Sequence, residues 1–150
     1  PLAAMRKACW LPRVQCPYAI AAPDPYQGKG GRKFICNSER ILHLARSAGT
    51  NVLVYSLGSN NQFQFEEYVY ALMNGSVEIH TFSKEPVGST KPSYVLYHQT
   101  TFGYRGSGLL DWTHKLGHAN KTIHILKVDI EEAERSVFQE LFQGNKCKLD

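Results

Sequence analysis

The stretch Asn51-Val-Leu-Val-Tyr-Ser-Leu57 is a continuous apolar run that stops abruptly at Gly58-Ser-Asn-Asn61. A strand of this composition has no face to offer water, so it must be covered on both sides. That requirement narrows the fold to a layered α/β sheet. The flanking segments agree. A helix is expected over about 39–48, with Ser38 as N-cap, Ile41, Leu44, Ala45 and Ala48 on one face, and Gly49 as its stop. A second is expected over about 63–73, where Phe65, Tyr68, Val69, Leu72 and Met73 keep the 3.6-residue period until Asn74-Gly75. Further strands are expected at 76–82, 93–99 and 122–130, the last again buried. A short helix is expected at 110–117. A closing helix at 131–142 turns Ala133, Val137, Phe138, Leu141 and Phe142 inward. This alternation predicts a mainly parallel sheet of about four strands flanked by helices. The sequence opens at Pro1 and stops just after a helix, where a further strand would be expected beside 122–130, so the sheet reads as cut short.

The first 36 residues differ in kind. They hold five of the seven prolines, three of the four cysteines and the cluster Gly28, Gly30 and Gly31. Fixed prolines and permissive glycines without apolar periodicity predict an irregular arm rather than helix or sheet. Residues 1–35 carry six Lys/Arg against Asp24, and residues 36–150 carry eleven against twelve acids. The formal net charge of +4 therefore belongs to the arm. The division expected is an arm over 1–36 and a domain over 37–150. A balanced body without a basic stripe excludes a duplex-binding face, so no nucleic-acid partner is expected. No run approaches the roughly 20 apolar residues of a membrane span. No apolar leader is visible either.

In a parallel sheet, ligands bind beyond the carboxyl ends of the strands where the strand order reverses. Two predicted strand ends carry polar residues. At the first, Gly58 allows close approach of a ligand, and the freed amides of the next turn favour a carboxylate or phosphate. At the second, Lys127-Val-Asp129-Ile-Glu131, a period of two puts Asp129 and Glu131 on one side. Carboxylates there can grip hydroxyls or take a proton from one. The plain alternatives are an ordinary βα turn and acids that favour a helix N-terminus. The three spaced glycines of a dinucleotide fingerprint are absent, which counts against a nicotinamide-linked oxidoreductase.

Read together, these motifs carry a resemblance. Val52–Glu67 (VLVYSLGSNNQFQFEE), Glu78–Phe82 (EIHTF), Leu116–Glu131 (LGHANKTIHILKVDIE) and Gly30–Cys36 (GGRKFIC) resemble a methyltransferase-like family related to the FkbM methyltransferases. The resemblance implies a Rossmann-like class I methyltransferase fold that uses S-adenosyl-L-methionine. It places the methionine part of that cofactor on Ser56, Gly58, Ser59 and Asn60, with Asp129 also in the binding set. The family's ribose-holding acid falls at Ser83, followed here by Lys84 and Glu85. It further implies a hydroxyl acceptor, a small molecule or a glycan such as a sugar. The proton would go to Glu131 or Asp129, or to His98 at the exit of the third strand. The alternative reading is a degenerate Rossmann-like binding domain that no longer catalyses, favoured by Ser83 and the missing strands. No oligomeric state is implied.

His114 and His118 stand at i, i+4, but no third ligand is placed by spacing and Gly117 breaks the helix between them, so no metal site is expected. His80 and His124 lie in strands among apolar neighbours and read as interior packed groups. Cys16 and Cys36 flank the glycine-rich arm, and a bridge between them would pin it to the body in an oxidising compartment. The sequons at Asn74 and Asn120 fall at predicted loops, where glycans could be carried. These features point to the secretory pathway or an extracellular location; four reduced thiols in the cytosol are the alternative.

Overall fold

The computed structural model describes residues 16, 18–22, 33–103, 107–131 and 133–143. Most of the arm therefore lies outside the described residues. In the part described, β1 (Ala19–Ala21) and β2 (Phe34–Cys36) pair as an antiparallel ribbon. The sequence reading expects no sheet there. The ribbon is short, with only Ile35 and the adjoining Ala22 buried, and local periodicity cannot mark three-residue strands. A disulfide joins Cys16 to Cys36 across 20 positions.

Four strands form the main sheet: β3 (Val52–Leu57), β4 (Val77–Ser83), β5 (Val95–Gln99) and β6 (Ile125–Val128). Their spatial order is β5-β4-β3-β6 and every neighbouring pair is parallel. The expected α/β, Rossmann-like class is thus what the chain forms. All six residues of β3 are buried, as its composition required. The helices α1 (Ser38–Ser47) and α2 (Gln64–Leu72) cover one face, and α3 (Leu109–Lys115) and α4 (Glu134–Gln143) cover the other. The core is accordingly double. Val52, Val54 and Ile79 meet Phe65, Val69 and Met73 on one side. Leu53, Tyr55, Leu57 and Phe82 meet Leu109 and Val137 on the other. Each such buried side chain contributes about 1.5–3 kcal/mol.

Four details depart from the sequence reading. Asn37, in the left-handed region at φ 51°, is the cap of α1, and Ser38 is its first helical residue. β6 is half as long as the 122–130 strand expected and only Ile125 is fully buried, because β6 has a neighbour on one side only among the described strands. Ahead of it, His124 substitutes a side chain for ladder backbone: its Nδ1 accepts the Leu53 N–H at 3.0 Å and its own N–H donates to the Leu53 carbonyl at 2.9 Å. Phe138, expected inside, is 41% exposed. The Phe142 side chain lies outside the described residues. The short helix α3 is held by α4, whose Glu140 carboxylate accepts the N–H groups of Leu109 (2.7 Å) and Leu110 (2.8 Å).

From β3 the chain moves outward through β4 and β5, then returns to the other side of β3 for β6. The strand order therefore reverses between β3 and β6. That is where such sheets open a crevice at their carboxyl ends.

Candidate functional site

The turn after β3 and the exit of β6 adjoin at this reversal. The Asp129 N–H donates to the Leu57 carbonyl (2.9 Å), and on the other side the Gly58 N–H donates to the Phe82 carbonyl (2.7 Å). Gly58 has φ 82°, and a Cβ there would stand 1.8 Å from the Asp129 carbonyl oxygen. The glycine is thus required by the chain's own β6 exit, as the plain alternative of an ordinary βα turn allows. Asn60 and Asn61 follow in the left-handed region, which asparagine tolerates. The Asn61 side chain accepts the Gly88 N–H (2.7 Å) and donates to the Pro86 carbonyl (3.0 Å), tying the turn to the loop beyond β4.

Ser83 ends β4 and is buried. Its Oγ donates to Glu85 Oε2 at 2.6 Å, which draws a carboxylate to the tip of β4. The Ser83 hydrogen bond is the main cause that holds the Glu85 carboxyl below its ordinary range, against a smaller opposing effect of burial. A carboxylate thus stands beside position 83, two residues on in the chain.

Strand alternation and register set Ser56, Thr81 and Lys127 side by side on the α1–α2 face. Glu66 of α2 comes down onto them fully buried, accepting the Thr81 hydroxyl at 3.1 Å. The Lys127 ammonium donates to the Gly58 carbonyl and lies 6.0 Å from the Phe65 ring. Burial pushes the Lys127 ammonium below its ordinary range; Glu66 and Asp129 pull the other way. Among the described residues, four buried side-chain polar atoms have no hydrogen-bond partner: Ser56 Oγ, Ser59 Oγ, Glu66 Oε2 and Trp112 Nε1. Three of the four belong to the β3 tip and the helix it opens. Buried polar atoms are almost always paired, so three orphans in one place mark where a polar ligand would complete the structure. Glu66 and Lys127 are the residues sequence reasoning missed. The signal was available for Glu66, which stands three and seven residues before the core positions Val69 and Met73 and so shares their face.

The three proposed proton acceptors are placed very differently. Asp129 is half-exposed beside Gly58 and pairs with Lys33, which adjoins β2, at 3.0 Å. Glu131 lies past the end of β6, so the period of two does not reach it. It is exposed and held at φ 46°, the one positive-φ residue among those described that is neither Gly nor Asn. Such backbone strain costs on the order of 1–3 kcal/mol and gathers at functional sites. His98 is at the opposite edge of the sheet, on β5, facing α3. Its Nε2 is 2.8 Å from His80 Nδ1, and its ring stands 4.8 Å from Phe82 and 5.0 Å from Trp112. The structure therefore brings Ser56, Gly58, Ser59, Asn60 and Asp129 together, with Ser83 one strand away, and sets His98 apart from the two carboxylates.

His98 belongs to a second polar cluster. His80 Nε2 lies 2.8 Å and His118 Nε2 3.1 Å from the same oxygen, Glu78 Oε1, and His118 Nδ1 is 2.8 Å from the Tyr55 hydroxyl. Burial, with the neighbouring imidazoles, lowers His98 to about 4. Burial and then Lys121 lower His118. Burial works against the Glu78 carboxylate, but the His80 hydrogen bond, Lys121 and the two imidazoles outweigh it and keep the carboxyl low. Burial, then Glu78, raises the Tyr55 hydroxyl to about 12. His118 thus turns to Glu78 and Tyr55, while His114 is exposed. The two do not act as the i, i+4 pair their spacing allowed.

A family model described as a methyltransferase domain matches residues 11–148 of the chain. No curated protein and no solved structure matches it. The match covers nearly the whole chain, including the Gly58 turn, Glu66 and the β6 exit, and the chain belongs to the methyltransferase-domain family.

Proposed function

We propose that residues 37–150 form an S-adenosyl-L-methionine-dependent methyltransferase domain, that residues 1–36 form its arm, and that it methylates a hydroxyl on a small molecule or glycan. The observation that carries this reading is the trio of orphaned polar atoms, Ser56 Oγ, Ser59 Oγ and Glu66 Oε2, beside the glycine turn at the strand reversal. The donor set fits the cofactor. Glu66 offers an acceptor oxygen for an ammonium, Ser56, Ser59 and the amides near Asn60 offer partners for a carboxylate, and Glu85, steadied by Ser83, suits a pair of hydroxyls. When bound, the cofactor supplies an electrophilic methyl on sulfonium sulfur. The chain's share is to align and desolvate the acceptor hydroxyl and to take its proton at the Asp129 or Glu131 carboxylate. The ion pair with Lys33 occupies Asp129, which favours Glu131 as the proton acceptor. The Cys16–Cys36 disulfide and the exposed turns at Asn74 and Asn120 support an oxidising, secretory setting for a glycosylated protein.

Calorimetry with S-adenosyl-L-methionine and its demethylated product tests the reading. Saturable binding of both is expected, and binding of neither by the folded chain overturns it. A second reading, a domain that binds without catalysing, is favoured by Lys127, whose ammonium already sits on the Gly58 carbonyl. Binding with no methyl transfer to any hydroxyl acceptor would select it.

A further inference from the structure

We propose that Glu78, His80 and His118 form a binding site for a divalent transition-metal ion of the zinc class, with Tyr55 and His98 as outer hydrogen-bond partners. The site is independent of the transfer reading. Glu78 precedes Ser83 by five residues on β4, about 16 Å along the strand, and it faces the opposite layer of helices.

The donor atoms are already gathered. Glu78 Oε1 lies 2.8 Å from His80 Nε2 and 3.1 Å from His118 Nε2, and one ligand atom from each of the three residues falls within 4.8 Å of the others. Bond lengths of about 2.0–2.1 Å put the donors of a tetrahedral site roughly 3.3 Å apart, so the carboxylate would move slightly away from each imidazole and the widest pair, within 4.8 Å, would draw together to seat the ion. Two imidazoles and one carboxylate make a donor set suited to zinc and its neighbours, with a further position left for water. The elements hold them firmly: Glu78 and His80 share one face of β4, and both histidines are buried. Glu78 is one-third exposed, which leaves a way in from solvent.

The outer shell has the form such sites need. A metal-bound imidazole presents its other nitrogen as a donor to a fixed partner. His80 Nδ1 faces His98 Nε2 and His118 Nδ1 faces the Tyr55 hydroxyl, each at 2.8 Å. At present Glu78, which only accepts, fixes both Nε2 atoms as N–H donors, so both Nδ1 atoms accept. An ion needs the reverse. Imidazole and phenol can each donate or accept, so the exchange moves each histidine proton from Nε2 to Nδ1 and leaves both outer hydrogen bonds intact. Lys121 Nζ, 4.0 Å from Glu78 Oε2 and more than half exposed, is the one nearby group among those described that opposes a cation.

The test is titration of the chelator-treated protein with Co2+ and, separately, Zn2+, read by visible cobalt absorption and by the melting temperature. One equivalent bound, a four- or five-coordinate cobalt spectrum and a raised melting temperature are expected. Glu78→Gln should weaken binding at least 100-fold, Tyr55→Phe roughly 10- to 100-fold, and His114→Gln not at all. Lys121→Gln, at an exposed position, should tighten binding several-fold by removing a like charge. Absence of saturable one-equivalent uptake by the folded wild-type protein overturns the site. So does uptake that Glu78→Gln leaves undiminished, or that Lys121→Gln fails to tighten.

Discussion

Tyr55 and Ser56 are consecutive residues of one strand, and they enter two polar clusters of opposite character. Tyr55 faces α3 and α4, where His98, His80, Glu78, His118 and the Tyr55 hydroxyl form an unbroken chain of hydrogen bonds. Ser56 faces α2, where its own hydroxyl, that of Ser59 and one oxygen of Glu66 have no partner. Burying a polar group without a partner costs about 1–3 kcal/mol. The α2-side cluster therefore carries a standing cost that the other avoids, and its location at the strand reversal accounts for it. On the proposed function the cofactor would complete the open cluster, whereas the closed one is already satisfied by its own members.

The comparison breaks most sharply at Gly58. Gly58→Ala would drive a methyl group into the Asp129 carbonyl and strain the backbone at φ 82°. A loss of roughly 3 kcal/mol is expected, with cofactor binding abolished. Thermal melting and calorimetry check both, and an alanine variant that melts and binds like the parent would show that the two strand tips do not meet.

Glu66→Gln separates the two clusters by function. The carboxamide oxygen can still accept from Thr81, so stability should move by no more than about 1 kcal/mol, while cofactor affinity should fall roughly 10- to 100-fold. Unchanged affinity in calorimetry would leave the Glu66 oxygen without a ligand role. At the β6 exit, Glu131→Gln and Glu131→Gly should both slow turnover. The glycine variant relieves a left-handed backbone, offset by a more flexible unfolded chain, so its melt should shift by within about 1 kcal/mol. Equal turnover in parent and both variants would dismiss Glu131 as the proton acceptor.

How much of this was legible in the sequence follows from the range of each signal. The run 51–57 and the period of 63–73 are local, and both elements form within two residues of their expected ends. β6 came out shorter because burial on both faces requires a neighbour on each side, which a strand's own composition does not specify. The rule for strand reversals singles out both the Gly58 turn and the Asp129 exit as polar strand ends, but that the two pack against each other is visible only in the structure. Glu66 is hidden in the sequence because its neighbours Phe65 and Glu67 invite a division into apolar inside and charged outside. The histidine cluster was out of reach. Residues 55, 78, 80, 98 and 118 meet only when β3, β4 and β5 lie side by side and the segment after α3 returns to β4. Spacing along the chain points instead to His114 and His118.

The closed cluster should reveal itself through pH. In the folded chain His98 stays neutral down to about 4, whereas an unfolded imidazole takes up its proton near 6.5. Between those values the unfolded state binds more protons, so this contribution to stability is complete above about pH 6.5 and is lost as pH falls toward 4. His118 and Glu78, both lowered, act with the same sign. Melting temperatures with chelator present should fall across this window, and His98→Gln should flatten the fall. A flat profile in the parent would mean that His98 and His118 are not held neutral by burial.

The smallest effect is expected where the arm reaches the open cluster. Lys33 and Asp129 form an ion pair whose side chains keep 31% and 48% of their exposure, and pairs this wet contribute about 0–1 kcal/mol. Lys33→Gln should lower stability by less than about 1 kcal/mol. The gap from the parent should shrink as salt is raised to ~1 M, where the screening length falls from about 10 Å to about 3 Å. A gap above about 2 kcal/mol that ignores salt would mean that Lys33 anchors the ribbon through the packing of its stem, and Asp129 would then be freer to serve the site than its ion pair implies. A small, salt-sensitive gap leaves the disulfide as the stronger tie: closing a loop of 20 residues is worth about 3 kcal/mol on chain-entropy grounds, several times what the ion pair supplies.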